Sequence, residues 1–151
     1  MQQAWRYIFT IMGVIFRHPI PGTTIVPILP DGRIVMMRRR DTGQWGLPGG
    51  IIDWGEDIAT AARRELAEET GLHLRQIQRL VGVYSARDRD PRLHSICILI
   101  AAEVEGELAP KDTLEVAEVR AFAKEDLPRG DLCHDHDRQL ADFLAGATTL
   151  A

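Results

Sequence analysis

Cysteine is scarce: Cys97 and Cys133 are the only two in 151 residues, far apart and in no metal-ligand spacing. That argues against a disulfide framework, and a reducing cytoplasm fits such usage. Cys97 lies in the apolar run SICILIAAEV, where a buried free thiol is expected. Long hydrophobic stretches are missing as well. YIFTIMGVIF (residues 7–16) is apolar over ten residues, too short to cross a bilayer, and Arg17, His18 and two prolines follow it. It lacks the basic start and small-residue cleavage site of a secretion signal. Residues 1–18 are therefore expected to be an N-terminal extension that packs on the domain or on a partner subunit, as in a homodimer. An excess of positive charge is absent too: the net charge is −4, which leaves no footprint for general nucleic-acid or membrane binding. No repeat, low-complexity tract or linker interrupts residues 19–151, which are expected to form a single domain.

What is present reads as alternating strands and helices. TTIVPILPDGRIVMMRRR gives two β runs joined by a turn at Pro30-Asp31-Gly32, a hairpin signal. Pro27 sits inside the first run, so that strand is expected at an edge or interrupted there. DTGQWGLPGG reads as a loop. Asp57 to Thr70 is the clearest helix, closed by Gly71 as a left-handed cap. LVGVYS and SICILIAAEV read as strands around the polar loop ARDRDPRLH, and VAEVRAF as another. A final helix runs from about His134 to Ala145, with Leu140, Phe143 and Leu144 on its apolar face. The order predicts an α/β domain with a mixed sheet.

The central helix is unusual in where its acids fall. At about 100° per residue, Ile58, Ala59, Ala62 and Leu66 share one apolar arc. Glu69 falls inside that arc, Glu65 at its margin and Glu68 one step beyond. A solvated acidic face would lie opposite the apolar stripe and alternate with Lys. Carboxylates beside a buried edge, at like-charged i,i+3 and i,i+4 spacing, need a cation between them. Oxygen-only ligands suit a hard ion such as Mg²⁺ or Mn²⁺. The plainer alternative is that Arg63 and Arg64 neutralise a surface helix. Asp53 and Asp57 read as loop and helix-start charges.

Gly50, five residues, Glu56, seven residues, then Arg64-Glu65-Leu66-Ala67-Glu68-Glu69-Thr70-Gly71-Leu72 resembles the Nudix box, G-x5-E-x7-R-E-U-x-E-E-x-G-U with U aliphatic. Every defined position is filled, a match expected by chance about once in ten million. The preceding GQWGLPGG is similar to the family's approach loop, and the resemblance covers most of residues 20–145. It implies the Nudix fold, a mixed β-sheet sandwiched between helices (α/β/α). It also implies a hydrolase that cleaves a nucleoside diphosphate linked to another moiety, using a divalent metal and water. Carried over by position, Glu65, Glu68 and Glu69, with the Gly50 carbonyl, are implied metal ligands. Glu65 or Glu68 is the implied base, Arg64 holds a catalytic glutamate, and Glu56 links loop to helix. A further acid from outside the box, Glu115 or Glu118, is implied for some members.

For the substrate, Arg38, Arg39 and Arg40 end a strand near the site, and one of them, Arg39 by preference, would hold a phosphate. In ARDRDPRLH, Arg87 and Arg89 are the candidates to close over a phosphate or ribose; Arg92 shares the loop. VYSARDRDPRLH resembles the corresponding segment of ADP-ribose-type Nudix enzymes. It departs from them in reading Ala86-Arg87 where they carry an early proline; the first here is Pro91. ADP-ribose or a related nucleoside diphosphate derivative is the favoured substrate. The alternatives are a triphosphate pyrophosphohydrolase that removes oxidised or unusual nucleotides, and a non-catalytic nucleotide sensor. CHDHD invites a metal reading, but Asp135 or Asp137 near a helix start is expected to be a cap or a dipole-favoured acid.

Overall fold

The computed structural model describes residues 6–8, 10, 12–13, 18–90 and 92–151. The packing expected of the 1–18 extension therefore lies largely outside the described residues. Two strands form the centre of the molecule: β1 (Ile20–Ile28) runs parallel to β6 (Ser95–Glu105) along its whole length. Both are nearly continuous apolar runs because both of their faces are covered. Ile25, Ile100 and Ala102 pack with Ala62 of helix α1 (Ile58–Thr70) on one face. Val26, Leu99 and Ala101 pack with Leu140 of helix α2 (His136–Leu144) on the other. The sheet is mixed and sandwiched between helices, as expected. Strand β5 (His73–Tyr84) pairs antiparallel with β6, and a short β8 (Thr149–Leu150) runs parallel to β5.

The expected hairpin forms, but its ladder is a single pair, Ile28 with Ile34 of β2 (Ile34–Arg39). Beyond it the strands part. β2 pairs with β7 (Val116–Phe122) and the short β3 (Trp45–Gly46), while β4 (Gly49–Ile51) lies on β1 at Gly22–Thr24. This parting corrects the expectation for Pro27. β1 is central and unbroken, and Pro27 pairs with Ala102 in the parallel ladder. The Ile25 N–H donates sideways to the Pro48 carbonyl at 2.9 Å. Two residues on, the Pro27 nitrogen points to that same side, in the gap between the Thr24 and Ile28 pairings where no acceptor waits. A proline costs a central strand little where the missing donor has no partner to lose.

β4 and α1 together place the acidic residues. The turn between them ends on Asp57, whose carboxylate accepts from the Thr60 N–H at 2.7 Å as an N-cap. Gly71 closes the helix at φ 81, the left-handed cap expected. Ile58, expected on the buried arc, is exposed, and Ala61 is buried in its stead. The register of the helix is set by Ala62, Leu66 and Glu69.

Candidate active site

The three box glutamates of α1 differ in burial in the order their angular positions predict. Glu69 is 5% exposed, Glu65 is largely covered, and half of the Glu68 side chain is open. Glu69 Oε2 accepts from the Gly49 N–H at 2.8 Å, its one hydrogen bond among the described residues. Burial pushes the Glu69 carboxyl up to about 8, the Gly49 N–H opposing it and the charges of Glu65 and Glu115 adding to it. Burial raises Glu65 as well, against the hydrogen bond from Arg64. Carboxylates held this dry, with so few donors, are costly unless a cation shares them.

Arg64 ties three pieces of chain together. Its Nε and Nη2 donate to both oxygens of Glu56 at 2.9 and 2.8 Å, and Nη1 donates to Glu65 Oε1 at 2.7 Å. Nη2 also donates to the Ile51 carbonyl of β4 at 3.0 Å, while Glu68 lies 3.6 Å from Nη1. Glu56 accepts the Asp53 N–H at 3.0 Å, bracing the turn that enters the helix. The Arg64 hydrogen bonds bring Glu56 down to about 2.

Gly50 is required by contact. A Cβ there would stand 2.3 Å from Glu65 Oε1, well inside van der Waals contact. Gly50→Ala is accordingly expected to displace the Glu65 carboxylate and lower metal-dependent kcat by about 10- to 100-fold, as misplacement by an ångström does. Its circular dichroism should match that of the parent. Steady-state kinetics within threefold of the parent would contradict the contact.

These residues form one wall of a cavity of about 540 Å³. Glu115 also lines it, whereas Glu118 turns away to pair with Arg120 and lies 3.9 Å from Arg38. A second wall is basic: Arg39, Arg89, Arg92 and His134. Arg39 faces the cavity as expected; its neighbours do not, since Arg38 donates to the Gly43 carbonyl and Arg40 to that of Thr113. Arg87 is exposed and is not among the residues that line the cavity. Arg89 is present but committed: its Nη1 donates to Asp135 Oδ1 at 2.7 Å and its side chain is 11% exposed. Arg92 is the arginine of that loop that lines the cavity with an open face. Its hold is local: Asp90 stands two residues before Arg92 and grips it, as Asp41 grips Arg39.

In CHDHD, Asp137 is the first-turn acid expected at the start of α2, while Asp135 takes the cap position only. Asp135 sits at the N-cap of α2 without making a capping bond, and accepts instead from Arg89 and from Gln139 Nε2 at 2.9 Å. Asp137 accepts from the Gly130 and Leu132 N–H groups at 2.6 and 2.9 Å, holding the preceding loop. The buried His136 accepts the Leu47 N–H on Nδ1 at 3.0 Å, and burial brings it down to about 3. It serves as a neutral acceptor for the chain that leads into β4.

Among the described residues no three His, Cys, Asp or Glu side chains close on a single point, so the glutamates line an open cradle rather than a finished coordination shell. Their chemistry fits a hard divalent ion: oxygen donors only, two of three shielded from water, and a glycine backbone that permits close approach. Helix carboxylates and arginines lining one cavity suit metal-assisted hydrolysis of a phosphoanhydride. The NUDIX domain model matches residues 18–143, and the chain belongs to that family. It is a pyrophosphohydrolase, and Nudix hydrolases generally use divalent metals. An ADP-ribose pyrophosphatase of Methanocaldococcus jannaschii is 36% identical over 134 residues, 86% of this chain and 76% of that protein. A putative 8-oxo-dGTP diphosphatase of Bacillus subtilis is 30% identical, over 83% of this chain and 80% of that one. The crystal structure of a MutT NUDIX hydrolase from Burkholderia pseudomallei superposes with a TM-score of 0.71 at 31% identity, covering 83% of this chain and 98% of that one. No helix among the described residues is long and apolar enough to cross a membrane.

Proposed function

We propose that the protein hydrolyses the pyrophosphate bond of a nucleoside diphosphate linked to another moiety, ADP-ribose or a near relative, with Mg²⁺ and with Mn²⁺ as a substitute. The carrying observation is that one cavity is lined by the three helix glutamates together with Arg39 and Arg92. The 36% identity to a protein named ADP-ribose pyrophosphatase supports the choice of substrate. Glu65, Glu68 and Glu69, with the Gly50 carbonyl, would hold the metal. A divalent ion held there would supply charge neutralisation at the phosphate and a lower pKa for a water beside it. Water oxygen attacks phosphorus, the bridging P–O bond breaks, and the water proton passes to Glu65 or Glu68. Arg64 and Glu56 keep Glu65 in place through the hydrogen bonds described. Arg39 takes the phosphate. The protein acts in the cytoplasm, with residues 1–18 packed on the domain or on a second copy.

The 30% identity to a putative 8-oxo-dGTP diphosphatase supports a second reading, a triphosphate pyrophosphohydrolase. Nothing in the box favours a sensor, since each of its carboxylates is retained. A panel of ADP-ribose, nucleotide sugars, dinucleoside polyphosphates and canonical or oxidised triphosphates, with products resolved by chromatography, separates the readings. ADP-ribose is expected to give AMP and ribose 5-phosphate with kcat/KM about tenfold or more above any triphosphate, a gap of about 1.4 kcal/mol. A triphosphate hydrolysed faster, or feeble and equal hydrolysis of everything, would sink the assignment.

A further inference from the structure

The basic wall carries more construction than one phosphate contact requires. Arg39 leaves β2 where the ladder with β7 slips register between Arg38 and Arg39, and such bulges re-aim a side chain. Its Nε and Nη2 donate to the two carboxylate oxygens of Asp41 at 2.9 and 2.8 Å. Arg92, in the loop joining β5 to β6, is held in the same manner: Nε and Nη2 donate to the two oxygens of Asp90 at 3.1 and 3.0 Å. In each pair the aspartate lies two residues away and takes one edge of the guanidinium. The remaining nitrogen, Nη1, makes no hydrogen bond among the described residues.

The two arginines come from separate elements yet line one cavity. Their charges reach each other: Asp90 raises the Arg92 pKa most, and the Arg39 charge works against it. His134, at φ 54, touches Arg92 Nη2 through Nε2 at 3.2 Å and fastens the loop to the chain before α2. A guanidinium whose back edge is pinned has lost its rotamer freedom already, so a ligand at its front edge need not pay for that ordering. Arg39 then offers its Nη1–Nη2 edge to phosphate and Arg92 the two protons of Nη1, both in a fixed plane that a lysine cannot imitate. Arg89 is different in kind, being covered and committed to Asp135 and Ser95.

We propose that Arg39 and Arg92 act together as a clamp on one phosphoryl group of the substrate, in the cavity that the glutamates line, and that Asp41 and Asp90 are positioning residues holding the two guanidinium groups. The clamp rests on the reading above that the site takes a diphosphate. Two measurements test it together: calorimetric binding of inorganic pyrophosphate in Mg²⁺, and steady-state hydrolysis of ADP-ribose. Arg39→Lys and Arg92→Lys each weaken pyrophosphate binding about tenfold or more and raise KM in step, while kcat falls less than about threefold. Asp41→Asn and Asp90→Asn move both readouts the same way by about three- to tenfold, and add little to the lysine change of their own arginine.

Asp31→Asn is the comparison. Asp31 grips Arg33 over the same two-residue spacing, at 2.8 Å, on an exposed turn that is not part of the cavity, and its loss leaves both readouts unchanged. Pyrophosphate binding indifferent to both lysine variants overturns the clamp, as does failure of the parent protein to bind pyrophosphate. Aspartate variants that lower Tm and kcat without changing pyrophosphate affinity overturn the positioning role. Arginine-dependent pyrophosphate binding without hydrolysis of any nucleoside diphosphate derivative leaves the clamp standing and removes the proposed function.

Discussion

Glu69→Gln is expected to yield a protein that is more heat-stable without metal and nearly inactive with it. The side chain is buried, and its one hydrogen bond, from the Gly49 N–H, can equally be accepted by an amide oxygen. What the substitution removes is charge. The carboxyl is raised from 4.5 to about 8 in the folded chain, so the unfolded chain ionises first as pH climbs. Stability is therefore lost progressively between about pH 4.5 and 8, and glutamine escapes that loss. A tenfold difference in proton affinity between the folded and unfolded chain corresponds to about 1.4 kcal/mol, but relaxation and stray cations absorb most of that penalty. A gain of about 1–2 kcal/mol near pH 8, or about 2–8 °C in Tm, is the realistic size. Mg²⁺ should raise the Tm of the parent and leave the variant nearly unmoved. Turnover in Mg²⁺ should fall by about 100- to 1,000-fold, as when a charge-stabilising group is removed from a reacting site. Near-full activity of Glu69→Gln in Mg²⁺ would show that this residue is no ligand.

Arg64→Lys carries the second large effect. The guanidinium spans Glu56, Glu65 and the Ile51 carbonyl at once, so turn, strand and helix share one cation. An ammonium is a single point charge on a shorter, flexible stem and cannot present nitrogens in a fixed fork to acceptors on three segments. The lysine variant keeps the net charge, which makes geometry the quantity under test. A fall of about 100-fold in kcat/KM is expected, with about 1–3 kcal/mol of stability lost from hydrogen bonds to charged groups. Denaturant unfolding and steady-state kinetics measure the two together. A lysine variant within threefold of the parent on both counts would mean that charge alone suffices.

How much of this was legible depended on how local the cause was. The burial order of Glu69, Glu65 and Glu68 could be read from the sequence because a helix converts spacing into angle without help from the rest of the fold. The approach of Gly50 to Glu65 was not legible, because the two stand on separate elements and only the fold brings them together. Pro27 misled because a strand's tolerance for proline depends on which neighbour sits on which edge, and β1 changes neighbours between Thr24 and Ile28. The first half of β5 was hidden because its outward residues, such as Arg75 and Gln76, are polar, so no apolar run marks it. Among the loop arginines, composition could not say which one is taken by a partner, since Asp135 lies 46 positions from Arg89. Asp135 and Asp137 stand at the helix start as their spacing predicted, but the partners they take there, Arg89 and Gln139 for one and the preceding loop for the other, could not be read from spacing.

The placement of β4 has a dynamic consequence. Gly49, Gly50 and Ile51 are laddered to β1, and α1 is capped at both ends by Asp57 and Gly71. The backbone of the cradle is thus placed by folding itself, and among the described residues only side chains remain to adjust around an ion. A divalent ion captured there would be delayed by the shedding of its own water more than by rearrangement of strand or helix.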